Sequence, residues 1–331
     1  AGLVSRPPSV KIPGFTLAEV CVVLVLVSMM GLWTMSGLLA HQRAASEVEH
    51  WSQLAQSGRL AQTLLYRSLL NANTNLPCAR STPNHTPHLT LSSDPIFGRH
   101  YRVMGWEAFG TAASEHWTLS DGGSVGLQHQ PSNFPAPLAA YLDSRVDPQS
   151  DVLLIYQTEN RHDLSITAFL EDGLLTHKNH QQKRCAWMVI SDCSVDLEFQ
   201  QASVDPRKLG WQGESCQPGT DPLIEPPWRH FSQSHVAIHH RFVEIWFVGK
   251  QSHGRRSLFR SFWERGWGSP RTEEIVRGVE SLQLEYASRG TNQGVTWQSA
   301  QAIIDWSAVL GVRFAVLASV PTRAGDFAVD A

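Results

Sequence analysis

The sequence predicts an α+β protein in which one long N-terminal helix precedes a mainly antiparallel, β-rich head. Two observations predict this class. Residues 15–40 form an apolar run with a single charge, and a helical pattern continues from there to residue 71 without a proline. After residue 150 the apolar residues change from the three- and four-residue spacing of a helix to the two-residue spacing of half-buried strands.

The composition is that of a folded protein with a sizeable core. Hydrophobic residues make up 42% of the 331 residues and charged residues 17%, which excludes a disordered chain. The 27 basic residues are balanced by 30 acidic ones, so the net charge is −3. A basic surface extending over the whole chain is therefore excluded, and nucleic acid would have to bind a local patch.

The first apolar run has the length of a single-pass membrane helix. At 1.5 Å per residue, about 20 apolar residues span the hydrocarbon core of a bilayer. Arg6 and Lys11 precede the run and, by the positive-inside rule, keep the N-terminus in the cytoplasm and the head on the other side. An ordinary cleaved signal is disfavoured because Gly14, the best small residue for processing, precedes the run.

Glu19 is the one charge inside this run, and it requires a partner. A carboxylate in a membrane span costs about 2.5–3.5 kcal/mol, and the sequence has no Lys, Arg or His between Lys11 and His41. Cleavage after Gly14 would give Phe15 a free α-ammonium about one helical turn from Glu19. Either that ammonium, on this chain or a neighbour, neutralises the carboxylate and permits lateral assembly, or Glu19 is protonated near the interface and has no role.

A family resemblance rests on the run Gly14-Phe15-Thr16-Leu17-Ala18-Glu19 and the spanning helix after it. This arrangement resembles the leader and methylation motif of type IV pilins and type II secretion pseudopilins. The resemblance implies that a prepilin peptidase cleaves between Gly14 and Phe15 and N-methylates Phe15. It also implies that Glu19 is the assembly glutamate.

The resemblance implies the lollipop architecture of a type IV pilin. Residues 1–14 would be the cleaved leader and residues 15–40 the half of the helix in the inner membrane. Residues 41–71 would be the periplasmic half of the helix, and residues 72–331 a globular β-rich head. Such a protein would move from the inner membrane to the pilus, at its tip on the cell surface.

Four stretches of the second half resemble minor pilins of the PilW type: residues 185–200, 245–260, 274–286 and 304–317. The resemblance therefore implies a minor pilin that helps to initiate assembly of a type IV pilus as part of a tip complex. Its partners would be other minor pilins and the major pilin, bound through the N-terminal helix. The alternatives are a type II secretion pseudopilin of the tip complex and a pilus-tip module for adhesion or DNA uptake.

The two-residue spacing predicts about eight strands, whereas residues 72–150 and 201–235 are predicted as loops with short elements. The predicted strands cover residues 151–156, 164–169, 185–191, 195–200, 241–248, 257–262, 282–286 and 312–317.

Four of the five cysteines lie outside the membrane helix, which contains Cys21. An even number in an oxidising compartment predicts disulfides. The preferred pair is Cys185 with Cys193, which are eight residues apart with a strand and a turn between them, and this would leave Cys78 to pair with Cys216. A zinc or redox site is disfavoured because the sequence has no Cys-x-x-Cys pair.

No catalytic centre, metal site or cofactor is predicted. The sequence contains no P-loop, Gly-x-Gly-x-x-Gly or Gly-x-Ser-x-Gly motif. His235, His239 and His240 form the tightest histidine group, but the strand pattern that covers residues 241–248 extends back to residue 236. There His235 and His239 would be about 13 Å apart, too far to share one ion.

One segment has the composition of a binding surface for an anionic polymer. Arg255 and Arg256 precede Trp263 and Trp267, and arginines interleaved with aromatic residues are typical of single-stranded nucleic-acid sites. Sheet faces often combine the same residues for packing, and that is the favoured interpretation. The sequence does not distinguish among twitching, adhesion and DNA uptake.

Overall fold

The computed structural model of the chain describes residues 16–72, 88–90, 102–108, 138, 141–142, 145–161, 164–170, 173–179, 185–192, 196–203, 205–210, 236–250, 254–264, 270–289 and 294–319. The predicted cleavage site between Gly14 and Phe15 lies outside these residues. The chain divides into two compact units, Ala1–Gln53 and Leu54–Ala331.

The first unit consists, in its described part, of the N-terminal portion of helix α1, which covers Leu17–Leu70. The predicted helix is confirmed, and its ends agree with the predicted residues 15 and 71 to within two residues. The most hydrophobic window of α1 has no buried residue, and α1 is long and apolar enough to cross a membrane. The hydroxyls of Ser28, Thr34 and Ser36 donate to backbone carbonyls three or four residues earlier, so these polar groups are satisfied within the helix.

The second unit contains the end of α1 and a set of β-strands. All eight predicted strands are present, together with six that were not predicted. The strands are β1 (His88–Thr90), β2 (Val103–Trp106), β3 (Val152–Asn160), β4 (Ile166–Leu170), β5 (Gly173–Thr176), β6 (Trp187–Ser191), β7 (Asp196–Gln200), β8 (Lys208–Gly210), β9 (Ala237–Lys250), β10 (Arg256–Trp263), β11 (Arg271–Arg277), β12 (Val279–Arg289), β13 (Val295–Gln298) and β14 (Val309–Ala318).

The largest sheet is built around β9, the longest strand. Eight strands form this sheet, in the order β1-β7-β6-β9-β10-β11, with β3 also on β9 and β2 on β3. Its pairs are antiparallel except for β1 with β7. Two three-stranded antiparallel sheets accompany it, β13-β12-β14 and β4-β5-β8. The described structure is therefore α+β and mainly antiparallel, as predicted.

The end of α1 packs into the main hydrophobic core of the second unit. Ala61 and Leu65 are fully buried there with Trp246 of β9 and with Leu282 and Tyr286 of β12. An apolar stripe on the last turns of α1 thus covers the large sheet and the β13-β12-β14 sheet. Burial of this stripe is what stabilises the end of the helix, because side-chain packing contributes more than helix propensity.

Gly105 in β2 provides a test of this packing. A Cβ at residue 105 would lie 2.6 Å from Cζ of Tyr286 and closer still to its hydroxyl. Tyr286 is fully buried and its ring is 4.8 Å, edge to face, from that of Trp306. We predict that Gly105→Ala lowers the free energy of unfolding by about 3 kcal/mol, because overpacked cores are strained. Thermal unfolding in detergent measures it.

The matched control is Gly58→Ala in α1, where no atom lies within 4 Å of the added Cβ. Alanine favours a helix over glycine by up to about 1 kcal/mol, so this variant should be as stable as the parent protein or slightly more stable. Equal stability of Gly105→Ala and the parent would contradict the packing described here.

His240 in β9 makes stability depend on pH. Its burial, and secondarily the charge of Arg161, lower the pKa of His240 from 6.5 to about 4, although the carboxylate of Glu264 lies 4.0 Å from Nδ1. The unfolded chain binds the proton more tightly, so His240 stabilises the fold fully above pH 6.5. This contribution is lost as the pH falls from 6.5 towards 4, by up to about 3 kcal/mol.

We therefore predict that His240→Gln flattens the dependence of the melting temperature on pH between 7.5 and 4.5. His177→Gln is the control, because His177 is exposed and its replacement should leave that dependence unchanged. Identical pH profiles for the parent protein and His240→Gln would show that His240 does not titrate as described.

Candidate functional site

Glu19, the predicted assembly residue, lies in the first turn of α1 and caps the helix. The backbone N–H of Thr16 donates to Oε2 of Glu19 at 3.0 Å, and the Thr16 hydroxyl donates to the same oxygen at 3.1 Å. In return, the backbone N–H of Glu19 lies 3.4 Å from the Thr16 hydroxyl oxygen. This reciprocal arrangement is a capping box, which satisfies donors that the first turn of a helix otherwise leaves free.

The capping box gives the carboxylate partners on its own chain. A negative charge in the first turn also interacts favourably with the positive end of the helix dipole. These contacts hold Oε2 beside the backbone nitrogen of Thr16, one residue from the predicted new N-terminus. Thr16 was predicted only as part of the leader motif, although Thr-x-x-Glu before an apolar run is itself a recognisable capping signal.

The surface around and beyond Glu19 is apolar and exposed. Leu17, Met30 and Trp33 are among many large apolar side chains of α1 that are mostly exposed. Such a surface suits the hydrocarbon of a bilayer or the side of another apolar helix. Val48 and Trp51, beyond the apolar run but still in the first unit, are exposed as well.

A buried polar cluster fixes the end of α1 to β9. Ser68 of α1 donates a short hydrogen bond to Glu244, whose Oε2 also accepts from Nε1 of Trp246 at 3.2 Å. Nε2 of Gln157 in β3 donates to the Ser68 hydroxyl at 3.0 Å. Ser68, Glu244 and Gln157 are all buried. No sequence motif marks this cluster, because Ser68 and Glu244 are 176 residues apart.

Arg260 of β10 balances the charge of this cluster. Its guanidinium lies 4.0 Å from Oε1 of Glu244 and 3.2 Å from Oε2 of Glu273. It also stacks over Phe262, with 4.5 Å from Cζ to the ring centroid. The carboxylate of Glu244 is therefore hydrogen-bonded on one oxygen and faces a cation on the other.

Three of the four residues of the predicted binding surface lie in the described structure, and they are spread over the length of β10 and the residue before it. Arg255 is exposed beside Gly254. Arg256 begins β10 and Trp263 ends it, so their backbones are about 23 Å apart at 3.3 Å per residue. Trp263 is half-buried, with its ring 6.3 Å from Tyr141. Trp267 lies outside the described residues.

The charge of Arg256 is used inside the protein. Its Nε lies 2.8 Å from Oδ2 of Asp147, which is buried, and its Nη1 lies 3.2 Å from Oε2 of Glu280. Its Nη2 donates to Gln149 at 3.2 Å. These contacts fix the segment that precedes β3 against β10 and β12.

The predicted disulfides fall largely outside the described residues. Cys21 is free and exposed in α1. Cys185 precedes β6, whereas Cys78, Cys193 and Cys216 lie outside the described residues, so their pairing stays a prediction. Within the part of the chain that the structure describes, no three His, Cys, Asp or Glu residues are placed to hold a metal ion.

The family comparison concerns the C-terminal part of the head. Residues 245–328 match the family described as Type IV Pilus-assembly protein W, PilW. The match relates this chain to type IV pilus assembly. It begins within β9, includes β10 to β14, and contains three of the four stretches on which the predicted resemblance rests. It covers about a quarter of the chain, and the leader motif lies outside it. No curated protein and no solved structure matches the chain.

Substitution of the neighbouring residues Arg255 and Arg256 distinguishes a structural role from a binding role. We predict that Arg256→Ala lowers the free energy of unfolding by about 2–4 kcal/mol, because it leaves the buried carboxylate of Asp147 without its nearest cation. Arg255→Ala, at an exposed position, should change stability by less than about 0.5 kcal/mol. Thermal unfolding of both variants in the same detergent measures the difference, and equal losses would contradict the assignment.

Proposed function

We propose that the protein is a minor pilin that takes part in initiating assembly of a type IV pilus, as part of a tip complex. The observation that carries this proposal is the match of residues 245–328 to the PilW family. The exposed, apolar helix α1, with one carboxylate in its first turn, supports it, because this is what a subunit that assembles through a membrane helix needs.

In this proposal, a prepilin peptidase cleaves between Gly14 and Phe15, and Phe15 becomes the N-methylated first residue. The new ammonium is then adjacent to Thr16, whose backbone N–H already lies 3.0 Å from Oε2 of Glu19. An ammonium at that depth, from the same chain or from a neighbouring subunit, can replace the uncharged donors of the capping box. A full positive charge interacts with the carboxylate more strongly than these uncharged donors do in a low-dielectric environment, so an ammonium supplied by a neighbouring subunit favours assembly.

The proposed topology follows from the same helix. The N-terminus would face the cytoplasm, residues 15–40 would lie in the inner membrane and the head would lie in the periplasm before it enters the pilus. The partners would be other minor pilins and the major pilin, bound along the exposed side chains of α1. No catalytic activity and no cofactor are part of the proposal.

Among the alternatives, a type II secretion pseudopilin shares the leader and the helix, and the match to a pilus-assembly family favours the pilus. A DNA-uptake or adhesive tip that uses the segment 254–271 is less favoured, because the charge of Arg256 is directed to Asp147 and Glu280. A salt-dependent affinity for DNA that Arg255→Ala removes would revive that alternative.

Glu19 provides the test. We predict that the parent protein from its native membrane begins at N-methylated Phe15. Glu19→Ala should be processed equally but enter pili at least about tenfold less, because the N-terminal ammonium would have no carboxylate to pair with inside the membrane. Intact-mass analysis and immunoblotting of sheared pili measure the two quantities. Glu47→Ala is the matched control, since Glu47 lies on α1 beyond the apolar run.

Two further variants separate the charge from the cap. Glu19→Gln can still accept hydrogen bonds from Thr16 but has no charge, whereas Thr16→Val keeps the charge and loses the hydroxyl. Normal incorporation of Glu19→Gln would assign Glu19 to helix capping alone. A chain that still carries residues 1–14, or that is cut beyond Ala40, would overturn the pilin proposal.

A further inference from the structure

Strand β14 is an unusually long free edge. It has ten residues, Val309–Ala318, contains no proline, and pairs with β12 on one side only among the described strands. A strand with one unpaired side presents a row of backbone N–H and C=O groups that another strand can bind. Soluble proteins usually shorten or charge such edges, so the other edges of this head provide a comparison.

The other edge strands are short or charged, which protects a sheet edge against pairing with another chain. The edge strands β1, β2, β8 and β13 have three or four residues each, and β4 has five. β11 has seven residues, but four of them are charged, namely Arg271, Glu273, Glu274 and Arg277. β14 has one charge in ten residues, Arg313. This edge alone, in the described structure, is both long and almost uncharged.

The direction of the backbone groups follows from the contacts of β12. The N–H of Leu282 donates to the hydroxyl of Ser150 at 3.0 Å, and the N–H of Leu284 donates to the carboxylate of Asp151 at 2.7 Å. Both groups therefore point away from β14. In an antiparallel pair, residues opposite each other either exchange both hydrogen bonds or point both pairs of groups outwards.

Val316 and Phe314 lie opposite Leu282 and Leu284, and Val312 continues the alternation opposite Tyr286. The N–H and C=O groups of Val312, Phe314 and Val316 are thus directed to the free side of β14. Three evenly spaced residues with outward backbone groups are what a second strand of six or more residues can pair with.

Exposed apolar side chains collect at the same sheet. Outside α1, the large hydrophobic residues that are exposed in the described structure are Val295 (58%), Trp297 (43%), Ile304 (101%) and Leu310 (58%). Two lie on β13, one on β14 and one on the connection between these strands. Apolar side chains grouped in this way mark interaction surfaces more often than scattered ones do.

Arg313 indicates which charge a strand that pairs with the free side of β14 should carry. It pairs with Glu285 of β12 and its guanidinium lies 4.8 Å from the ring centroid of Trp297. It stays 57% exposed. An antiparallel second copy centred on β14 would bring two Arg313 side chains to neighbouring positions, and like charges across strands are unfavourable. A carboxylate on the incoming strand would be favourable at the same place.

We propose that the free edge of β14 binds an extended strand of a different protein, apolar at alternate positions and carrying a carboxylate where it passes Arg313. The backbone of that strand would pair with Val312, Phe314 and Val316. The inference does not rest on the proposed function, because it uses neither Glu19 nor the membrane helix and its test needs no pilus.

The experiment uses the full chain in detergent micelles and two labelled ten-residue peptides. Both alternate valine with threonine, and one central threonine is replaced by glutamate in the first peptide and by lysine in the second. We expect fluorescence anisotropy to show about fivefold tighter binding of the glutamate peptide, the size expected for an exposed charge pair. Arg313→Gln should abolish that preference.

Val316 provides the matched pair of variants. Val316→Pro removes the outward N–H, whereas Val316→Ala reduces the same side chain and keeps the N–H. We expect Val316→Pro to weaken binding at least about tenfold and Val316→Ala by no more than about twofold. If Val316→Pro does not fold, hydrogen exchange on the parent protein provides the test instead. Bound peptide should slow amide exchange at Val312, Phe314 and Val316 and leave exchange in β11 unchanged.

Four outcomes would overturn the inference. Neither peptide binds the parent chain at millimolar concentration, or Val316→Pro binds as well as Val316→Ala, or the peptide protects β11 instead of β14. Binding that appears only after residues 320–331 are removed would assign the edge to the chain's own segment and would likewise overturn it.

Discussion

The buried carboxylate of Glu244 is the group on which the arrangement of the head depends. A charge in the interior is costly unless it is paired and hydrogen-bonded, and here Ser68, Trp246 and Arg260 provide those contacts. Because Ser68 belongs to α1, separating the end of the helix from β9 would leave a buried carboxylate short of a donor as well as expose Ala61 and Leu65. The end of the helix and the central strand therefore stabilise one another.

The polar groups at the two ends of α1 have different kinds of hydrogen-bond partner, and the difference bears on the proposed assembly. Ser68 contacts residues far away in the sequence, which makes its position part of the fold. The carboxylate of Glu19 accepts hydrogen bonds, among the described residues, from Thr16 three residues away, and a cap of this kind contributes about 0.5–2 kcal/mol. A full opposite charge in a low-dielectric environment interacts more strongly than these uncharged donors. The geometry thus keeps Glu19 satisfied in a single subunit and leaves it able to exchange partners.

The sequence predicted the elements whose own pattern is strong and missed those that depend on distant partners. β9, β12 and β14 have long alternating or apolar runs, and α1 has a continuous helical pattern, so all four were predicted. β8 and β2 have three and four residues, too few for a period to show, and they exist because β5 and β3 pair with them. The Ser68–Glu244 contact likewise has no local signal, whereas the Thr16–Glu19 cap has one that was not used. Arg256 was interpreted from its neighbours in sequence, and its actual partner, Asp147, is 109 residues away.

The distribution of charge in the head bears on the kind of partner it binds. Arg260 and Arg271 pair with Glu273, Arg277 pairs with Glu274, and Arg256 pairs with Asp147 and Glu280. Each cation that alternation brings to the surface of β10 or β11 is thus met by a carboxylate within 4 Å. An anionic polymer would have to displace these carboxylates, which lowers the gain from each phosphate contact. On the side of β14 that no described strand pairs with, the backbone groups are free and the exposed side chains nearby are mostly apolar, so pairing there needs no such exchange except at Arg313, which an incoming carboxylate would share with Glu285. The physical properties of the described head thus favour binding of a polypeptide strand over binding of a polyanion.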